Sequence, residues 1–366
     1  MDPRIEKHAE VLINYSLNLQ KDETLMINAD VSSLPLAKAC YIAALNTGAH
    51  PRVRIGWGDL TESLLKIGSD EQIKFVHEID FAAIKTYNAF LTLLGGENTR
   101  SLANVDPIRM KKMGQGRSEL QQLYFERMAS KEIRWCGTMH PTQANAQEAN
   151  MSLSEFEDFV YGACKLDLED PVQAWLKVEE EQERVCRFLD KKKTLHIISK
   201  DTDIRFKTAD RKWVNCSGKV NFPDGEVFTG PIEDSVEGHI RFSFPAIYQN
   251  REVNDVRLTF EKGKVVKASA AKGEDFLLQI LDTDPGARFV GEIAIGTNYS
   301  IKHLVRHMLF DEKMGGTVHL AVGRSIPESL GKNQSVVHWD MLCDMKTGGR
   351  IYADDELFYE NGSFLI

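Results

Sequence analysis

Several signatures are missing from this chain, and each absence excludes a class. It has no C-x-x-C pair: the six cysteines, Cys40, Cys136, Cys164, Cys186, Cys216 and Cys343, are scattered over 366 residues. A disulfide framework or a cysteine-based zinc module is not expected, and reduced thiols are. Basic excess is missing too, with 45 Lys and Arg against 54 Asp and Glu, a net charge of −9. A nucleic-acid partner is therefore not expected, because phosphate binding needs a basic stripe. No stretch approaches the roughly 18 uninterrupted apolar residues of a membrane span. The first residues, Met1-Asp2-Pro3-Arg4-Ile5-Glu6, lack the basic start and apolar run of a secretory signal, so a cytoplasmic location is expected. Gly95-Gly96-Glu97-Asn98 has neither the P-loop lysine nor a G-x-G-x-x-G pattern and reads as a turn. There is no internal repeat and no low-complexity segment.

What is present fits an ordinary two-domain globular chain, with 42% hydrophobic and 27% charged residues. Residues 1–190 read as an α/β domain with a mostly parallel sheet. Helical patterns at 4–20, 35–45 and 61–78 alternate with strands at 24–28, 51–57 and 89–94, and another strand starts at Arg134. Ser152-Leu153-Ser154-Glu155 opens a helix, and Asp170-Pro171 opens a long one with Asp as N-cap and Pro in the first turn. Asp190-Lys191-Lys192-Lys193 marks a change of texture. Residues 191–366 read as a β-rich α+β domain. Strands fall near 195–199, 204–206, 226–228, 240–244, 317–322, 335–342 and 350–353, with a hairpin over 255–268. Helices are expected at 273–281 and 301–309.

Chemistry concentrates in the second half. His338 and Asp340 are two apart on a predicted strand and project from one face, with Trp339 opposite. His319 lies on a second strand. Glu226 follows Gly225 and Glu292 follows Gly291, each leading into an apolar run. A carboxylate there is costly unless it is paired or holds a metal. Two Glu, two His and one Asp form the donor mixture of borderline divalent ions. On composition and spacing alone, a set of buried salt bridges is the plainer reading and is favoured over a metal centre. His303 and His307 are four apart on a predicted helix but lie off its apolar face, which favours a solvated role. His140 precedes a proline and reads as structural, and His239 as part of a turn.

Several strings in order resemble one family: Asn221-Phe222-Pro223-Asp224-Gly225-Glu226-Val227-Phe228-Thr229-Gly230-Pro231, Gly291-Glu292-Ile293-Ala294, Leu309-Phe310-Asp311-Glu312-Lys313, His319-Leu320-Ala321-Val322-Gly323-Arg324 and His338-Trp339-Asp340. They are similar to those of the aminopeptidase T family of dinuclear metallo-aminopeptidases, and the resemblance spans most of the chain. It implies a homodimer that removes N-terminal residues from peptides. It also implies two divalent ions, zinc, cobalt or manganese, held by Glu226, Glu292, His319, His338 and Asp340. Glu292 is the candidate bridge and catalytic carboxylate. Arg324 is the candidate to steady an oxyanion or a carboxylate, or else a structural ion pair. One position departs: the family commonly carries tyrosine seven residues after the histidine of the H-L-A motif, and here Ile326 stands there. An isoleucine donates no hydrogen bond to a developing oxyanion, which leaves open a metal-binding but catalytically weak paralogue acting as a peptide-binding or scaffold protein.

Overall fold

A computed structural model describes residues 2–249 and 251–366. Two compact units are present. One comprises the chain up to Val172 with Gly218–Pro223, and the other Gln173–Ser217 with Asp224–Ile366. They part earlier than the change of texture at residue 190. The helix Pro171–Leu189 explains why: Val185, Cys186 and Leu189 on it belong to the core of the second unit.

The first unit is built on a five-stranded parallel sheet. Thr24–Asp30 lies between His50–Gly56 and Ala89–Leu94, followed by Arg134–Met139 and the short Asn221–Phe222. Helices separate these strands, which is the βα pattern expected. Two further helices, Pro107–Gly116 and Ser118–Ala129, lie between the strands Ala89–Leu94 and Arg134–Met139, where the sequence reading expects no element. The single helix expected over 61–78 is broken. Gly58–Ile67 ends at Gly68, and Ser69 with Gln72 forms a capping box that starts Asp70–Lys74. A new N-cap overrides periodicity there because Ser69 satisfies the orphan amide that a continuous helix would not leave open.

The second unit is mostly antiparallel. An eight-stranded sheet includes Thr194–Ser199, Thr202–Lys207, the hairpin Arg257–Glu261 and Lys264–Ser269, and Arg350–Ala353. His239 lies within another of its strands, Glu237–Arg241, rather than in a turn. A second sheet runs in the order His338–Asp344, Thr317–Gly323, Val290–Gly296, Glu226–Thr229 and Val214–Cys216. One face of its first four strands is apolar: Val227, Ile293, Ile295, Val318, Leu320, Val322, Trp339, Met341 and Cys343 all enter the core.

The helix expected over 301–309 does not form. Only the single turn Met308–Asp311 is helical, and Arg306 sits at φ +59°. Ile301, Val305 and Leu309 are buried at the spacing of a helix face, but they anchor a loop. The Val305 N–H donates to Asp311 Oδ1 at 2.8 Å in place of a helical carbonyl. His307 is correspondingly half-buried, and burial pulls its imidazole down to about 4. His303 and His307 therefore share no helix face. Among the described residues, no helix is long and apolar enough to cross a membrane.

Candidate metal centre

The polar face of the second sheet carries all five candidate ligands. Pairing places Glu292 opposite Ala321 and Ala321 opposite Asp340, so two carboxylates flank one methyl group across three strands. His319 lies two residues from Ala321 and faces Ala294 across the ladder, while Glu226 faces Gly296. Small residues thus leave room above the sheet for the functional groups to converge. His338 and Asp340 share this face and Trp339 is buried on the other, as the period of two predicts.

Glycines make local geometry possible at two points. The register shifts between Val290 and Glu292, so Gly291 forms a bulge. A Cβ at Gly291 would lie 2.2 Å from the Arg324 carbonyl oxygen, and only glycine permits that approach. The bulge re-aims Glu292 into the cluster, as bulges beside functional sites commonly do. Gly225 holds φ +126°, and a Cβ there would meet Asn298 at 2.7 Å. This conformation carries the chain into the strand that begins at Glu226.

The side chains form two groups sharing one carboxylate. His319 Nε2 lies 3.4 Å from Glu226 Oε2 and 3.6 Å from Glu292 Oε1. His338 Nε2 lies 3.5 Å from Glu292 Oε2 and 3.4 Å from Asp340 Oδ2. The two oxygens of Glu292 therefore face different imidazoles, the disposition of a bridge. Asp340 also leans toward the first group, with Oδ1 3.9 Å from His319 Nε2. Glu226, Glu292, His319 and Cys216 with Asp224 fall into clusters whose donor atoms are close enough to coordinate, as do Glu292, His338 and Asp340.

Each imidazole is oriented from behind. His319 Nδ1 is 3.0 Å from the Glu312 carbonyl oxygen, and His338 Nδ1 is 2.8 Å from that of Arg324. A carbonyl only accepts, so each Nδ1 carries a proton, and Nε2 is the nitrogen whose lone pair becomes available when the imidazole is neutral. Sequence reading had no means of finding these backbone partners.

Four further residues complete the environment, and none was assigned a role from sequence. Lys313 is fully buried, with Nζ 2.5 Å from Glu226 Oε1, 2.8 Å from Glu312 Oε1 and 3.4 Å from Asp224 Oδ1. Gln182, on the long helix, donates to the carbonyl of Glu226 at 3.1 Å and to that of Cys216 at 2.9 Å. Glu312 and Lys313 sit in one of the strings that carry the family resemblance, which was the available signal.

Electrostatics identify what the cluster demands. Burial pushes the Glu226 carboxyl up to about 8, against the pull of Lys313 and His319. Burial opposes charge on His319 and His338, yet the surrounding carboxylates outweigh it and raise the imidazoles to about 9 and about 10. Asp340 is held well below the usual carboxylate range, since His338 and His319 overcome its burial. Burial would also lower Lys313, but Glu226, Glu312 and Asp224 hold it well above its ordinary value.

Two buried carboxylate oxygens of the cluster have no hydrogen-bond partner: Glu226 Oε2 and Asp340 Oδ1. A native fold leaves such atoms unpaired only for a reason, and an ion is a standard one. With both imidazoles neutral, as they must be to act as ligands, the five carboxylates of Asp224, Glu226, Glu292, Glu312 and Asp340 and one lysine leave a net charge of four negative for divalent ions to balance. The donor set and its orphaned atoms fit a pair of metal ions.

Among the described residues, the side chain of Arg324 makes no hydrogen bond or ion pair with this group. Its side chain is exposed, and its Nε–H donates to the Ser335 carbonyl at 2.9 Å. Among the described residues it forms no ion pair, so its structural connection to the centre is its backbone carbonyl on His338. Ile326 is half-buried beyond the end of the His319 strand.

Comparison with known proteins agrees over the whole chain. The family model described as thermophilic metalloprotease (M29) matches residues 1–364. Aminopeptidase 2 of Geobacillus stearothermophilus is 26% identical over 381 residues, covering 93% of this chain and 92% of that protein. Among solved structures, wild-type AmpT from Thermus thermophilus superposes with a TM-score of 0.89 at 22% identity, over 100% of this chain and 99% of that one. The 2,5-dihydroxypyridine dioxygenase of Pseudomonas putida KT2440 has a TM-score of 0.61 at 14% identity, over 100% of this chain and 98% of that one. One fold thus serves unlike chemistries, and the reaction must be argued from the site. The chain belongs to the thermophilic metalloprotease (M29) family.

Proposed function

We propose that this protein is a metal-dependent aminopeptidase that removes N-terminal residues from peptides using two divalent ions, zinc, cobalt or manganese. The observation that carries the reading is the Glu292 carboxylate, whose two oxygens face His319 and His338 in separate donor groups. Glu226, His319 and Glu292 Oε1 would hold one ion. Glu292 Oε2, His338 and Asp340 would hold the other. Bound there, such ions supply a hydroxide-like water near neutral pH and polarise the scissile carbonyl.

The chain's own residues do the remaining work. The carbonyls of Glu312 and Arg324 fix the histidine tautomers. Burial of Glu226, Glu292 and His319 excludes bulk water from one side, while His338 is 28% exposed and leaves the other side accessible. A peptide enters from that side, and a free α-amine suits a cluster of carboxylates. Arg324, exposed and tethered to Ser335, is our candidate to steady the developing oxyanion. The names of the relatives, Aminopeptidase 2 among them, support the same reaction.

We further propose a cytoplasmic homodimer. Trp57, Leu60, Ile67 and Phe75 are exposed in the first unit at 52%, 61%, 85% and 64%, an apolar surface that suits a second copy. The six cysteines, five of them buried, are thiols rather than disulfides, which suits a reducing compartment. Light scattering in solution checks the dimer.

Hydrolysis of an aminoacyl reporter tests the function. Exhaustive chelation should abolish it and added Co²⁺, Zn²⁺ or Mn²⁺ should restore it, while a reporter with a blocked α-amine should not be cleaved. Activity that survives metal removal defeats the proposal.

A further inference from the structure

We infer that Lys313 is a positioning residue of the centre: its buried ammonium acts as a built-in third cation that clamps one oxygen of Glu226 so that the other is aimed at the ion shared with His319. This rests on the two-ion reading above.

Lys313 is an unusual residue to bury. It is among the largest fully buried side chains, at 2% exposure. Lysine is rarely enclosed unless paired, and here three carboxylates surround it. Its closest contact is Glu226 Oε1 at 2.5 Å. The opposite oxygen, Oε2, is the buried atom without a partner, and it is the one 3.4 Å from His319 Nε2. The ammonium thereby divides the carboxylate into a tethered oxygen and a free one.

The same ammonium explains a third group of donors. Cys216, Asp224 and Glu226 lie close enough to coordinate an ion. Lys313 Nζ is within 3.4 Å of Asp224 Oδ1 and 2.5 Å of Glu226 Oε1, so this corner already holds a positive charge. A divalent ion there would meet a fixed like charge at hydrogen-bond range. Lysine therefore limits the cluster to two ions, and its single charge completes the balance of five carboxylates.

The backbone holds the lysine in register with its partners. The Asn298 N–H donates to the Lys313 carbonyl at 2.9 Å, and Asn298 Nδ2 donates to the Asp224 carbonyl at 2.9 Å. The Thr297 N–H donates to the Gly225 carbonyl at 2.8 Å. The segment carrying Glu226 and the segment carrying Lys313 are thus both tied to Asn298. Glu312, adjacent in sequence, links the lysine to the second ligand of the same group through its carbonyl on His319.

The test is metal binding rather than turnover. Wild-type protein and Lys313→Met are titrated with Co²⁺ in equilibrium dialysis, with visible absorption recorded at each step. Wild type should bind two ions. Lys313→Met should bind one with unchanged affinity and the other about 10–100-fold more weakly, the effect typical of removing a partner behind a ligand. The absorption of the weakened ion should change and that of the retained ion should not. A residue with only a general structural role would weaken both together. If Lys313→Met does not fold, the charge-conserving Lys313→Met with Asp224→Asn is measured instead, with the same expectation, since Glu226 still loses its tether. Two ions bound at wild-type affinity in either folded variant, or parallel loss of both, overturns the inference. Wild type that binds no Co²⁺ instead overturns the two-ion reading itself.

Discussion

Metal removal should destabilise the second unit and leave the first nearly unmoved. All five candidate ligands lie in the second unit, whose segments of 45 and 143 residues make 188. Without ions, the carboxylates of the cluster are offset by Lys313 and the two raised imidazoles alone, with Glu226 Oε2 and Asp340 Oδ1 unpartnered. An ion that binds only the folded state stabilises it by about 2.7 kcal/mol at a free concentration 100 times its dissociation constant. Two ions at that saturation contribute about 5 kcal/mol. For a domain of 150–250 residues each kcal/mol moves the melting temperature by roughly 2–4 °C. Chelation should therefore lower the melting of the second unit by about 10–20 °C. Differential scanning calorimetry with and without chelator measures it. Hydrogen exchange locates it, with added opening expected in Val290–Gly296, Thr317–Gly323 and His338–Asp344 but not in the parallel sheet. A melting curve indifferent to chelation would refute the reasoning, because it would mean that the buried charges are compensated without ions. An equal shift in both units would refute the localisation.

Three other outcomes follow from single residues. Gly291→Ala should cost about 1–3 kcal/mol in denaturant unfolding, since its Cβ would sit 2.2 Å from the Arg324 carbonyl oxygen. It should also reduce activity by shifting Glu292. Ile326→Tyr should raise turnover of an aminoacyl reporter, by up to the roughly 10²–10³ that one oxyanion donor is worth; no gain in kcat would show that Ile326 is not the limitation. His8 is fully buried against Thr138 at 2.9 Å, and burial lowers its imidazole to about 3. Its neutral form stabilises the fold fully above the unfolded value near 6.5, and that contribution falls as pH drops toward 3. At pH 5 the loss is about 2 kcal/mol, so His8→Phe should lose less stability between pH 7 and pH 5 than wild type by that amount.

Sequence alone was informative wherever the cause of structure is local. Alternation placed His338 and Asp340 on one face with Trp339 behind them, because strand side chains have a period of two whatever they pack against. The cap at Ser152 and the first-turn proline at Pro171 marked the starts of their helices for the same reason, since such signals act within one turn. The stretch 301–309 shows the limit. Ile301, Val305 and Leu309 are spaced as on a helix, but burial against the rest of the unit selected them and the Asp311 carboxylate took the amide that a helix would have used. The five candidate ligands were legible as residue types within motifs. Their convergence was not, since 114 positions separate Glu226 from Asp340 and only the pairing of Glu292 with Ala321 and Asp340 sets them side by side. The tether from Lys313 and the carbonyls behind each histidine belong to tertiary structure alone, because a hydrogen bond across a sheet leaves no periodicity in the chain.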